Sequence, residues 1–271
     1  MKSKLKKIGK IILIVIAIIL VLATIVWAVG IRLLIRHYAK EVTAKMEPAS
    51  EYFTEFDLTI PDSVEVQNVT AHGMTATIPA EFEEIEPIGT TIRYVIMDSE
   101  GNQTEQILFL TPGDVSELAL FSEKNMAEMT DTPLKKFAVK QLMKGFEDLG
   151  HGIPDNFYSA YKSFYLLTEE DYSFWNWKQG FAYVVNGMLK NVISFACDYT
   201  YIYETEDICG FLHVTDRTEK DNEGYSGPKY RVVAELLSTD DLSTDHTIII
   251  GGDSLETIYA IINSVVIEQK D

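Results

Sequence analysis

The sequence has few of the residues and motifs by which enzymes and metal sites are usually recognised. Only 2 of its 271 residues are cysteines, so it is not a disulfide-rich scaffold and must depend on a hydrophobic core. Its histidines form no H-x-x-H or H-E-x-x-H spacing, and a G-x-S-x-G nucleophile turn is absent. His213 alternates with Cys209 and Phe211 on one face of a predicted strand, which favours a core or edge histidine. We therefore predict no metal, no cofactor and no catalytic residue.

Basic residues are scarce beyond the N-terminus. Residues 1–40 contain 8 of the 23 lysines and arginines and none of the 41 acidic residues. Residues 41–271 therefore carry 15 basic and 41 acidic side chains, a net charge of −26. A domain this acidic repels nucleic acid phosphates and anionic lipid headgroups, so we predict that nucleic acid is not a partner.

One long run without charged residues covers residues 11–31. As a helix, these 21 residues would be about 31 Å long, which matches the hydrocarbon thickness of a bilayer. A cleaved signal peptide has a shorter apolar core, which is followed by a cleavage site of small residues. Trp27 and the segment from Arg32 to Arg36 occupy that place here. We therefore predict an uncleaved signal anchor that contacts the lipid bilayer through residues 11–31.

The charges that flank this run indicate its orientation. Five lysines precede it, and cytoplasmic flanks of membrane spans are enriched in lysine and arginine. We predict a basic cytoplasmic tail at 1–10, the transmembrane helix at 11–31, a juxtamembrane helix or linker at 32–50 and an acidic extracytoplasmic domain at 51–271. The chain is thus predicted to be a single-pass protein of the cell membrane, with its C-terminal domain outside.

The outer domain alternates between strand patterns and helix patterns. Strands are predicted at 91–97, 104–110, 198–204, 208–214, 230–237 and 246–250. Residues 114–196 instead have a helical period, and Asp253 is predicted to cap a closing helix from Leu255 to about Val265. Strands on both sides of a helical block indicate an α+β fold. We expect a mostly antiparallel sheet with a helical, aromatic-rich insertion at 114–196 and a C-terminal helix.

The first helix of the insertion has clear end signals. Thr132 followed by Pro133 predicts its start, and Gly150 predicts its end. Its apolar face is predicted to contain Leu134, Phe137, Ala138, Leu142, Phe146 and Leu149. A second helix is predicted at 156–167, and Thr168 is predicted to begin a third.

The two cysteines flank the predicted hairpin of strands 198–204 and 208–214. In the register that a turn near residue 205 favours, paired positions sum to about 411, so that Cys209 lies opposite Ile202 and not opposite Cys197. Disulfides require cysteines whose Cα atoms are close. Two free thiols are therefore predicted in preference to a disulfide.

Several segments together resemble one known family. They are the stretch Gly73-Met-Thr-Ala-Thr-Ile-Pro79-Ala-Glu-Phe82, the hairpin that ends in Leu110, and the final strand and helix that end at Val266. This pattern is similar to the PsbP family of lumenal photosystem accessory proteins, which has many bacterial extracytoplasmic relatives. The resemblance covers about half of the outer domain and implies an α/β sandwich with a non-enzymatic accessory role. The helical block at 114–196 and the uncleaved anchor depart from the family pattern.

Aromatic residues are concentrated in the helical block. Residues 157–183 contain 11 of the 30 aromatic residues of the chain, and aromatic rings commonly anchor interfaces. The predicted partner-binding residues are Trp175, Trp177, Tyr161 and Tyr165, for a protein or glycan partner at the cell envelope. In the alternative interpretation, the rings pack the helices on the sheet.

Three functions follow from this reading. The leading hypothesis is an extracytoplasmic binding or accessory domain that catalyses no reaction. The alternative is a cell-envelope hydrolase whose carboxylate pair is assembled only in three dimensions. A third hypothesis is a structural role in oligomeric assembly.

Overall fold

The computed structural model describes residues 29–30, 32–37, 58–116, 130–168, 171–173, 176, 178–180, 182–184, 197–218 and 227–268. The predicted tail at 1–10, most of the predicted span and most of the linker lie outside these residues. Among the residues that are described, no helix is both long and apolar enough to cross a membrane.

Eleven strands and three helices are bounded within the described residues. The strands are β1 Val66–Ala71, β2 Met74–Pro79, β3 Glu83–Ile88, β4 Thr91–Met97, β5 Gln103–Phe109, β6 Gly113–Asp114, β7 Tyr199–Glu204, β8 Ile208–Asp216, β9 Tyr230–Ser238, β10 Asp241–Gly252 and β11 Val266–Ile267. The helices are α1 Pro133–Leu149, α2 Phe157–Tyr165 and α3 Leu255–Asn263. Residues 178–180 and 182–184 are also helical.

The strands form two antiparallel sheets. The larger has the order β3–β4–β5–β10–β9–β8–β7, with β6 paired to one end of β10, and the smaller has the order β1–β2–β11. Every strand pair in the described part of the chain is antiparallel. The prediction of an α+β fold with mostly antiparallel sheets is therefore confirmed.

The two faces of the large sheet bury different cores because side chains alternate along each strand. On β8, Leu212 and Val214 belong to a core that includes Ile258 of α3 and Met74 of β2. Phe211, which is fully buried, belongs to the opposite core, with the aromatic side chains of α2. The large sheet therefore lies between α3 with the small sheet on one side and α2 on the other.

Helix α1 begins and ends where the sequence predicts, but its first two turns expose part of the predicted apolar face. The Thr132 hydroxyl accepts a hydrogen bond from the Lys135 N–H, and Gly150 caps the other end with φ 81°. The predicted apolar face is wrong at its start, because Phe137 is 59% exposed whereas Phe146 is fully buried. Phe137 and Phe146 are nine positions apart, and at about 100° for each residue they lie on opposite sides of the helix.

Two local predictions near the C-terminal half are corrected. In the β7–β8 hairpin, Ile202 pairs with Phe211 and Cys209 pairs with Glu204, so the pairs sum to 413 and the predicted register was two residues off. Both cysteines are free thiols, as predicted. The N-cap of α3 is Ser254 and not Asp253, because the Ser254 hydroxyl is the group that accepts a backbone N–H of the first turn.

Candidate functional site

The four residues predicted to bind a partner fall into two groups. Trp175 and Trp177 lie outside the described residues. Tyr161 and Tyr165 lie on α2, where Tyr165 is 1% exposed and Tyr161 is half-buried. Tyr165 is thus a core side chain of the described structure, in line with the alternative interpretation of packing on the sheet. A partner-binding role for these residues stays a prediction.

A capping box fixes the start of α2, and an ion pair connects the helix to the sheet. The Asn156 side chain accepts the Ser159 backbone N–H at 2.8 Å, and the Ser159 hydroxyl accepts the Asn156 N–H at 3.1 Å. Farther along the helix, the Lys162 ammonium lies 2.6 Å from a carboxylate oxygen of Glu204 on β7. The Tyr158 hydroxyl donates to the same carboxylate. These contacts determine which part of the sheet α2 covers.

Beneath α2, polar side chains form a continuous row across four strands. The row, called the polar row below, consists of Thr200, His213, Glu235 and Asp245, with Cys197 at one end. Thr200 pairs directly with His213, and Glu235 pairs with both Phe211 and Thr247. Directly paired residues point to the same face of a sheet, so the strand register brings these side chains together.

The distances in the polar row are those of hydrogen-bonding neighbours. Thr200 Oγ1 lies 3.3 Å from both Cys197 Sγ and His213 Nδ1. Cys197 Sγ lies 3.9 Å from His213 Nδ1, and on the other side of the ring His213 Nε2 lies 3.4 Å from Glu235 Oε2. The imidazole therefore lies between a thiol and a carboxylate.

This position determines the charge of His213. The side chain is only 11% exposed, and burial alone would lower its pKa. The contacts with Cys197 and Glu235 outweigh burial and raise the pKa of His213 to about 9. At neutral pH the imidazole is consequently protonated, which balances the charge of the Glu235 carboxylate.

The far end of the polar row holds a second carboxyl group. Burial, with the charge of Glu235 adding to it, raises the pKa of Asp245 to about 6. Its Oδ2 accepts a hydrogen bond from the Thr247 hydroxyl at 3.0 Å, whereas its buried Oδ1 has no hydrogen-bond partner. Burial and the same two carboxylates also raise the pKa of Tyr161. Perturbed groups in close proximity are a common property of functional sites.

Tyrosine rings cover the polar row. The Tyr165 ring centroid lies 5.9 Å from that of His213 and 5.1 Å from that of Phe211, and Tyr161 lies 6.0 Å from Phe211. Sequence reasoning favoured a core or edge position for His213, and the residue is buried. It missed the polar row, because the members lie on separate strands and only their register brings them together.

A separate cavity of about 610 Å³ lies where the turn between β1 and β2 meets the beginning of β10. This cavity, called the acidic cavity below, is lined by the ionisable residues His72, His246, Asp240, Asp241 and Glu268. The volume is in the range of small-molecule and peptide side-chain sites, which is about 300–1,000 Å³. Three carboxylates and two imidazoles therefore line one space.

The turn at the edge of the acidic cavity has an unusual backbone. His72 has φ 54° and is the one residue other than glycine with a positive φ in the described chain. Its Nε2 lies 2.7 Å from the Thr90 carbonyl oxygen, which holds the ring in place. Such a conformation is rare for residues other than glycine and is found disproportionately at functional sites.

Neither region resembles a recognised metal centre. In the ranges that the structure describes, no group of three or more histidine, cysteine, aspartate or glutamate side chains is arranged to hold a metal ion. No protein-family model matches the chain, and no curated protein matches it. Function must therefore be inferred from the two sites themselves.

Proposed function

We propose that the chain is a single-pass membrane protein of the cell envelope, and that its acidic outer domain is a binding or accessory module that catalyses no reaction. The uncharged run at 11–31 and the five lysines before it support the anchor and its orientation. The net charge of −26 on residues 41–271 supports a partner other than nucleic acid. The PsbP-like fold stays a prediction within this proposal.

The acidic cavity is the observation that carries the binding function. A cationic group about 4 Å from one carboxylate gains roughly 1 kcal/mol even in bulk water. Asp240, Asp241 and Glu268 line the same space, so three carboxylates can act on one cationic group. The partner that fits this chemistry is a lysine-rich segment of another envelope protein.

The affinity of the acidic cavity can be measured with a tetralysine peptide. The full chain is placed in nanodiscs of neutral phosphatidylcholine, so that the lipid itself does not attract the peptide, and binding is followed by isothermal titration calorimetry. Asp240→Asn with Glu268→Gln removes two charges and should weaken binding about tenfold or more, since each charge contributes roughly 1 kcal/mol.

Glu83→Gln is the matched control, because Glu83 is an exposed carboxylate on β3 that does not line the cavity. Equal weakening by the control and by the double variant would mean that the peptide responds to net charge alone. That result, or no binding to the unaltered chain, would overturn the assignment of the acidic cavity.

The location of the domain has its own test. Intact cells that express the chain with a C-terminal tag are treated with protease, and the tag is detected by blotting. Loss of the tag on intact cells is the expected result. Protection of the tag until lysis would place the domain in the cytosol and reject the proposed orientation.

A hydrolase is the second candidate function, and the polar row favours it. The imidazole of His213 lies between the thiol of Cys197 and the carboxylate of Glu235. This arrangement of nucleophile, imidazole and carboxylate activates thiol nucleophiles in hydrolases. In such a reaction the Cys197 sulfur would bond to a carbonyl carbon while the bond from that carbon to the leaving group breaks. His213 would give its proton to the leaving group and take the proton of the thiol. Water would then hydrolyse the thioester, which releases the carboxylic acid and restores the thiol.

The hydrolase is tested with p-nitrophenyl acetate as a general acyl substrate. Release of p-nitrophenolate that is lost in both Cys197→Ser and His213→Gln would support it. An unchanged rate in Cys197→Ser would reject this assignment and leave the binding function as the better one.

A further inference from the structure

Helix α1 exposes two large apolar side chains on its outer face. Leu134 is 78% exposed and Phe137 is 59% exposed, and residues three apart on a helix are surface neighbours. Lys140 and Lys144 continue the same face, three and seven residues beyond Phe137, and both are exposed. The outer face of α1 therefore joins an apolar pair to a basic pair.

The charge of α1 is opposite to that of the domain that carries it. The helix contains four lysines and, in its last turn, the two acidic residues Glu147 and Asp148, a net charge of +2, whereas residues 41–271 carry −26. Lys135 forms an ion pair with Asp131 at 2.9 Å. The overall charge predicts repulsion from anionic surfaces, and this helix is the local exception to it.

The inner face of α1 connects it to the segment that follows the predicted membrane span. Ile35 packs against the cluster that contains Val139 and Phe146 of α1. A methyl group at Gly180 would lie 3.2 Å from Ile35 Cγ2, so this segment approaches the helical block closely. Residues 32–37 are therefore in direct contact with the layer to which α1 belongs.

The distance along the chain then determines the height of this layer above the bilayer. Ile35 is four residues beyond the end of the predicted span at residue 31, which is about 6 Å along a helix. The headgroup region on each side of the hydrocarbon is roughly 5–8 Å thick. The helical block would consequently lie at headgroup depth.

We propose that the outer face of α1 is a membrane-surface contact: Leu134 and Phe137 insert between acyl chains at the interface, and Lys140 and Lys144 face anionic lipid phosphates. This inference rests on the proposed membrane anchor and adds a second contact with the same bilayer. Apolar side chains beside lysines on a helix are the pattern of interfacial amphipathic helices. The contact holds the outer domain in one orientation relative to the membrane.

The test is hydrogen–deuterium exchange, measured by mass spectrometry on the full chain in nanodiscs. The discs contain phosphatidylcholine alone or with phosphatidylglycerol. Peptides that cover residues 133–144 should exchange about tenfold or more slowly in the anionic discs, since each lysine near an anionic surface contributes roughly a fivefold effect. Leu134→Glu with Phe137→Glu should abolish this difference.

Ile88→Glu is the control, because Ile88 is another exposed apolar residue, 65% accessible, on β3. It should leave the exchange of α1 unchanged. Both substituted α1 positions are exposed and glutamate is a good helix former, and circular dichroism of the variant verifies that the domain is folded.

The inference is overturned by equal exchange of α1 in both kinds of disc, by an unchanged difference in the double variant, or by an equal loss in the Ile88 control. Protection that depends on protein concentration in place of lipid charge would assign the face to a second copy and would also overturn it. Retention of the chain in membranes after carbonate extraction is measured separately. Loss of the chain in that extraction rejects the anchor itself, whereas retention without protection of α1 rejects only this contact.

Discussion

His213 should make the stability of the domain at 51–271 depend on pH in the alkaline range. The folded protein raises its pKa to about 9, above the value of about 6.5 that histidine has in an unfolded chain. The folded state therefore binds a proton more tightly than the unfolded state does. The resulting stabilisation is fully present below about pH 6.5 and is lost as the pH rises through 9.

The size of this effect follows from the difference between the two pKa values. A difference of about 2.5 pKa units corresponds to about 3 kcal/mol, at 1.36 kcal/mol for each unit. Most of it is still present at pH 7 and almost none at pH 10. The side chain is only 11% exposed, so screening by solvent reduces this figure little. A loss of 3 kcal/mol is a large part of the stability of an ordinary domain.

The assay is urea denaturation of the full chain in detergent micelles between pH 6 and pH 10, followed by circular dichroism. The free energy of unfolding of the unaltered chain should fall by about 2–3 kcal/mol between pH 7 and pH 10 through His213. The His213→Gln variant should lack this part of the fall, and Glu235→Gln should reduce it, because it removes one of the contacts that raise the pKa. The exposed Glu83→Gln control should retain the full slope. Parallel curves for the unaltered chain and His213→Gln would refute the charge assignment in the polar row.

Three further predictions concern packing and charge. Gly210→Ala should prevent folding of the sheet, since the added methyl carbon would lie 2.0 Å from a backbone oxygen of β9. Gly113→Ala is the matched control, because a methyl carbon there would have nothing within 4 Å, and equal melting temperatures of the two variants would contradict the packing. Burial raises the pKa of the Asp245 carboxyl to about 6, so that ionising it above pH 6 destabilises the folded protein. Asp245→Asn should therefore increase the free energy of unfolding by up to about 3 kcal/mol above pH 6 and leave it unchanged below pH 4. Urea denaturation in both pH ranges tests this, and an equal increase below pH 4 would contradict it. Iodoacetamide at pH 8 should label Cys197 and spare Cys209. Cys209 is 5% exposed, and burial raises its pKa to about 12, so that its thiolate fraction is about a thousandfold below that of an ordinary cysteine. Peptide mass spectrometry distinguishes the two residues, and equal labelling would show that Cys209 is accessible.

The local signals in the sequence were reliable where the chemistry is local. Thr132 and Gly150 bound α1 as predicted, because a hydroxyl that accepts a backbone N–H and a glycine with positive φ act within one helical turn. The hairpin of β4 and β5 was also predicted. The apolar face of α1 was predicted correctly at Phe146 and Leu149, which are buried, and incorrectly at Leu134 and Phe137, which are exposed. The sequence shows that all four side chains are apolar but not which of them the helix turns to the core.

The contacts between distant residues were not predicted, because strand register cannot be read from residues that are near in the sequence. The predicted register of the β7–β8 hairpin was wrong by two residues, and a change in register alters which side chains are opposite each other. The pair of Thr200 with His213, and the approach of Glu235 from the next strand, depend on that register. No residue spacing in the sequence predicts the polar row, because its members come from four separate strands.

The sequence by itself determined composition-level and local properties: the acidic composition of residues 41–271, the uncharged run at 11–31, the α+β class and the ends of α1. These depend on charge, hydropathy and residues within a few positions of each other, which do not require knowledge of the rest of the fold. The tertiary structure alone decided which polar groups are buried together in the polar row, which carboxylates share the acidic cavity, and which face of α1 stays exposed. Those arrangements depend on strand register and helix orientation, because burial and the electric field of neighbouring groups arise only when distant segments pack against each other.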